Sequence, residues 1–92
     1  MLYTADFTTR FKKDYKQCLK RGLAEQEIKN VMTSILNGEL LAAKHKDHFL
    51  KGNFVNCREC HIRPDWLLIY RLDLSAKLVV FIRAGTHSDL FD

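Results

Sequence analysis

The chain has 92 residues, 47% of them hydrophobic and 28% charged, with a single Pro and four Gly, which fits one folded domain (1–92) and argues against a linker or a disordered tail. No apolar run approaches the roughly 20 residues of a membrane helix, and the N-terminus turns polar too soon for a signal peptide. Three cysteines suit a reducing compartment better than a disulfide framework, so a cytoplasmic setting is expected, and a net charge of +4 with a pI near 9.1 points to an anionic partner. A short strand is expected at Leu2 to Ala5. After it Phe7, Phe11, Tyr15, Cys18 and Leu19 recur at helical spacing, with Asp6 or Thr8 available as N-cap and Gly22 as a stop. A second helix begins with Ala24-Glu25-Gln26-Glu27, whose acids suit its dipole, carries Ile28, Val31, Met32, Ile35 and Leu36, and ends at Asn37-Gly38. Gly22 leaves almost no loop, so the two helices should form an antiparallel hairpin.

From Leu40 to Asn53 no period is sustained, and Lys44, His45, Lys46, Asp47, His48 and Lys51 mark an irregular, basic, exposed connection. Three strands should follow, Val55 to Ile62, Trp66 to Leu72 and Lys77 to Ala84, with turns at Arg63-Pro64-Asp65 and Asp73-Leu74-Ser75-Ala76. The resulting class is α+β, a two-helix hairpin packed on one face of an antiparallel-rich sheet. Phe11, Tyr15, Ile28, Val31, Ile35, Leu68, Tyr70, Val80 and Ile82 are expected in or near the core.

Chemistry concentrates after residue 44. Cys57-Arg58-Glu59-Cys60-His61 has the spacing of a haem attachment motif or half a zinc site. Haem attachment normally goes with export, which this sequence is not expected to undergo; residues three apart on a strand point to opposite faces, and no second cysteine pair exists to complete a zinc site, so both readings fail and the cysteines are read as packing. His48, His61 and His87 stand beside turn signals, as does Asp65. An antiparallel meander can bring alternate strand ends together, where imidazoles take and give protons near neutral pH. Arg83 is either a solvated charge at a strand end or a guanidinium that holds a phosphate bidentately. Lys12, Lys16 and Lys20 form a stripe that is either the wet face of an amphipathic helix or a phosphate-tracking surface continued by Lys44, Lys46 and Lys51. Trp66 and Phe91 are each either core or platforms for a base.

Three segments carry a resemblance. Lys46-Asp47-His48-Phe49-Leu50-Lys51-Gly52, Arg58-Glu59-Cys60-His61-Ile62-Arg63-Pro64-Asp65-Trp66-Leu67-Leu68-Ile69-Tyr70 and Gly85-Thr86-His87-Ser88-Asp89-Leu90-Phe91 resemble, in order and spacing, the YafQ branch of the RelE/ParE superfamily of bacterial toxins. The helical half matches in pattern only. The resemblance implies a RelE/ParE-like fold with an N-terminal strand. It also implies a ribosome-dependent endoribonuclease that cuts messenger RNA in the A site without a metal or other cofactor. Carried over, the catalytic set is His48, His61, Asp65 and His87, with Phe91 orienting the nucleotide and Arg83 binding phosphate. Trp66 and the lysines would bind RNA or the 70S ribosome. A cognate antitoxin, a DinJ-like ribbon-helix-helix dimer, is implied as a partner, with operator DNA reached only through it. The alternatives are a ParE-like inhibitor of DNA gyrase, whose relatives lack the histidine set, or an inactive RNA-binding relative.

Overall fold

The computed structural model describes residues 1–91. Its sheet has five strands, β1 (Thr4–Phe7), β2 (His48–Phe49), β3 (Arg58–Arg63), β4 (Trp66–Asp73) and β5 (Leu78–Gly85), in the spatial order β1-β5-β4-β3-β2. All neighbours run antiparallel except β1, which lies parallel to β5 with Thr4 opposite Leu78. Two long helices, α1 (Thr9–Lys20) and α2 (Glu25–Leu36), form the hairpin, and a short α3 (His87–Phe91) follows β5. The α+β class and the antiparallel-rich sheet are as the sequence implied.

The hairpin's shape follows from its caps. Thr8 accepts a hydrogen bond from the Phe11 backbone N–H at 2.9 Å and donates its hydroxyl to the Ile82 carbonyl at 2.7 Å, so one residue starts α1 and ties it to β5. At the other end Gly22 takes φ +104°, the Gly22 N–H reaches the Leu19 carbonyl and the Leu23 N–H reaches Cys18. That pair is a Schellman motif, and it needs a residue tolerant of positive φ. Gly38 closes α2 in the same way, through Ile35 and Ser34. A bond from the Tyr15 hydroxyl to Glu25 at 2.6 Å clips the two helices together.

The sheet separates two apolar clusters. Phe11, Cys18, Ile28, Val31 and Ile35 pack with Cys60, Leu68, Tyr70, Val79 and Phe81 beneath the helices. On the opposite face Cys57, Leu67, Ile69 and Leu90 form a smaller cluster, extended by Leu50, Phe54 and Ile82. Cys57 and Cys60 therefore lie on opposite faces, as strand alternation required.

Several expectations are corrected. β1 begins two residues later than Leu2, and β3 begins at Arg58 rather than Val55. In β5 the deepest residues are Val79 and Phe81, while Ile82 packs against the second cluster; Tyr15, half-buried, packs against the main core as expected. Ordinary alternation puts Val79 and Phe81 on the helix side and Ile82 on the other. A bulge follows: Ile69 opposes Arg83 but Tyr70 opposes Phe81, so Ile82 is an extra residue and the next helix-side member is Ala84. The basic connection is also less irregular than expected, because it holds β2 and 3₁₀ turns at Ala43–His45 and Gly52–Phe54. Asp47 fastens it to the sheet by accepting from Arg58 (3.2 and 2.9 Å) and from the Tyr70 hydroxyl (2.7 Å).

Candidate active site

The face of the sheet turned away from the hairpin carries the histidines. In the β2–β3 register His48 opposes Glu59, and His61 stands two residues further along β3, hence on the same face. The Glu59 side chain is only 6% exposed. Its Oε1 lies 3.6 Å from His48 Nε2 and 3.5 Å from His61 Nε2. His48 Nδ1 is 2.6 Å from the Lys46 carbonyl, which can only accept, so Nδ1 carries a proton and Nε2 is the atom turned to the groove. His45, not singled out from the sequence, donates from Nδ1 to the His61 carbonyl at 2.6 Å and so braces β3.

His87 enters from the other side, at the start of α3. Its backbone N–H and its Nδ1 both reach Asp65 Oδ1, at 3.1 and 2.8 Å, from the turn between β3 and β4. This two-point latch fixes the ring and, among the described residues, leaves Nε2 without a hydrogen-bond partner. Hydrogen bonds from the His87 ring and then from its backbone N–H hold the Asp65 carboxyl below the usual carboxylate range. The His61 and His87 rings meet edge to face with centroids 5.8 Å apart. Phe91, half-exposed, lies 6.3 Å from His87 and is met edge-on by Phe54 at 5.9 Å.

After β5 the chain enters a short capped helix. Thr86 N–H donates to Asp89 Oδ2 at 2.8 Å and Asp89 N–H donates to Thr86 Oγ1 at 3.2 Å, a capping box that orients α3. Arg21, from the end of α1, joins Asp89 at 2.6 Å. Gly85 is needed at the junction, since a Cβ there would sit 2.9 Å from the Asp89 side chain.

Two expected site residues do not join this group. Arg83 is held by Asp14 of α1, with Nε at 2.7 Å and Nη2 at 3.3 Å, and its side chain is 16% exposed. It reaches a phosphate only if that pair opens. Trp66 packs against the helix-side cluster with the Arg21 guanidinium 5.0 Å from its ring centroid, so it is not presented as a free stacking surface. Lys12, Lys16, Lys20, Lys44, Lys46 and Lys51 are all exposed. Glu59 is the residue the sequence reading passed over. Its signal was its place two residues before His61 on a strand. Glu59, His61 and His87 together offer ligand atoms within 4.8 Å of one another, a set able to hold a metal ion.

The family model for the bacterial toxin of type II toxin-antitoxin systems, YafQ, matches residues 3–92. The chain belongs to the YafQ family. Against the curated mRNA interferase toxin YafQ of Escherichia coli K12 it is 40% identical over 87 residues, covering 94% of this chain and 92% of that one. It superposes on a chain of the crystal structure of the E. coli DinJ-YafQ complex with a TM-score of 0.89 at 37% identity, covering 98% of this chain and 99% of that one. A metal-bound toxin from Helicobacter pylori superposes with a TM-score of 0.90 at 36% identity, covering 99% of this chain and all of the other. In this YafQ-family chain the groove combines two imidazoles around a sunken carboxylate, a third imidazole latched to an exposed one, and an aromatic ring at the rim. Such a set can take a proton at one position and deliver one at another, across a gap of a few ångströms.

Proposed function

We propose that this protein is the toxin of a type II toxin–antitoxin pair and a ribosome-dependent endoribonuclease that cleaves messenger RNA in the A site by metal-independent acid–base chemistry. The observation that carries the reading is His87, latched by Asp65 and facing His61 across the groove. In the reaction a ribose 2′-hydroxyl attacks the adjacent phosphorus in line. Nε2 of His48 or His61 removes the hydroxyl proton. His87 protonates the leaving 5′-oxygen, and Asp65 stabilises the imidazolium that precedes this transfer. Phe91 orients the target nucleotide. Arg83 joins only by releasing Asp14, and otherwise braces α1 against β5.

The lysines of α1 and of the basic connection grip ribosomal RNA, and the decoding site positions the substrate. A DinJ-like antitoxin binds the toxin in the cytoplasm and links it to operator DNA. The experiment is cleavage on ribosomes programmed with a defined message. Codon-phased breaks ending in a 2′,3′-cyclic phosphate, or the 3′-phosphate left by its hydrolysis, are expected, and a 2′-deoxyribose at the scissile position should block cutting. A 3′-hydroxyl product overturns the mechanism. DNA damage without RNA breaks in cells would instead favour gyrase inhibition.

A further inference from the structure

We propose that His45 is a positioning residue of the ribonuclease, whose ring stands in for a missing strand residue and so holds the His61 imidazole in place between His48 and His87. The effect on rate rests on the function proposed above; the brace itself does not.

β2 ends too soon to cover β3. It pairs His48 with Glu59 and Phe49 with Arg58. The Leu50 N–H reaches the Cys57 carbonyl at 2.9 Å, so Cys57, Glu59 and His61, alternate residues of one strand, turn their backbone groups to this edge. Continued in register, β2 would set Lys46 opposite His61. Instead Lys46 takes φ +47° and ψ +44°, a left-handed conformation that strains a residue with a Cβ, and the backbone leaves the sheet. His45 Nδ1 takes up the His61 carbonyl in its place, at 2.6 Å. A carbonyl only accepts, so Nδ1 carries the proton, and it does so in that neutral tautomer and in the imidazolium alike. The brace therefore holds in either protonation state of His45.

Its location is what gives it consequence. His61 stands just before an irregularity in the sheet: His61 opposes Leu67 but Arg63 opposes Trp66, so Ile62 is an extra residue. Without His45 the backbone that carries the ring is held on one side only and runs straight into that bulge. The same corner sets His48, whose Nδ1 donates to the Lys46 carbonyl at 2.6 Å. The corner is closed by its own backbone, from the His45 N–H to Ala42 at 2.9 Å and from the Lys46 N–H to Ala43 at 3.1 Å. One strained turn thus aims both imidazoles at Glu59. Losing the brace frees the His61 ring to leave its edge-to-face contact with His87, now 5.8 Å between centroids. A misplacement of about 1 Å is enough to slow an oriented reaction by up to ~100-fold.

The test compares three chains. His45→Phe keeps a flat ring and removes the donor, and the cavity of about 320 Å³ that His45 borders, between α2 and the basic connection, gives the phenyl room. His45→Asn keeps an amide donor where Nδ1 stands. On ribosomes programmed with a defined message, His45→Phe should lower the maximal cleavage rate about tenfold or more at an unchanged half-saturating ribosome concentration, while His45→Asn stays within about threefold of the parent. In the free chain, with no ribosome, the His61 and His87 ring proton resonances report the edge-to-face contact. They should move in His45→Phe and return in His45→Asn. Should His45→Phe not fold, His45→Gln, whose amide nitrogen stands where Nε2 does, takes its place. Equal rates in all three chains, a loss confined to ribosome binding, or an Asn variant as slow as the Phe variant overturns the proposal. Ring resonances that ignore the loss of the donor overturn it as well. A parent chain that cuts no message overturns the ribonuclease reading instead, and the ring resonances then still decide the brace.

Discussion

The two faces of one sheet differ in what they spend their side chains on. Among the described residues, fourteen buried apolar side chains form a continuous cluster beneath the helices, whereas the apolar cluster on the other face has Cys57, Leu67, Ile69 and Leu90 as its buried members, with Glu59 sunk on the same face. That thin second core leaves room for Glu59 and three imidazoles, and a short strand, a turn and a short helix deliver them. Stability is concentrated on one side and proton-transfer chemistry on the other, because alternation along β3 and β4 sends successive residues to opposite faces.

The comparison breaks most sharply at Phe81, fully buried and stacked among Phe7 and Phe11. Phe81→Ala should cost about 3–5 kcal/mol of stability by chemical denaturation. A cost near zero would mean the helix face is not the main core. Next in size is the groove. His87→Ala should lower the cleavage rate about 100-fold or more while leaving the melting temperature nearly unchanged, because the ring is half-exposed and its lost partner is a solvated carboxylate. A protein that unfolds instead would show that α3 is structural.

Replacing Lys12, Lys16 and Lys20 together by Ala should weaken ribosome association and flatten its salt dependence, since fewer counterions are released, with little effect on folding. Unaltered ribosome binding would return the stripe to a solvated helix face.

The smallest effects concern pH, and two kinds of group should act with opposite sign. On the helix side burial pushes Tyr15 up to about 12 and Cys18 up to about 11, with the Glu25 hydrogen bond adding to the rise at Tyr15. The folded chain keeps these protons longer, so the unfolded chain binds fewer as pH passes about 9–10, and stability falls there. Asp65, held low by His87, works the other way. Its contribution is present above about pH 4 and is lost as pH falls through its depressed folded value. Denaturation curves at pH 3, 7 and 10.5 check both arms, and stability unchanged at both extremes would contradict them.

How much of this was legible beforehand depended on the range of the interaction. The helix hairpin was, because Gly22 and Asn37-Gly38 act on their own backbone and the apolar stripes repeat every turn. Three strands and their turns were, from β-rich runs broken at Pro64 and Asp73. The YafQ-like motifs named His48, His61, Asp65, His87 and Phe91, and the groove does contain those side chains. What depended on distant partners was not visible. β2 is two residues long and has no period, so its pairing with Glu59 had no local signature. Arg83 finds Asp14 across 69 positions, and Trp66 turns towards Arg21, since each satisfies its charge or its apolar surface where the fold leaves room. The bulge at Ile82 shifts the burial of β5 beyond it by one residue, which no count of alternation along that strand alone contains. Composition, caps and periodicity thus determined the elements of this protein. Tertiary structure decided which ends of those elements meet, because register and ion pairing are settled only when separated segments compete for the same partners.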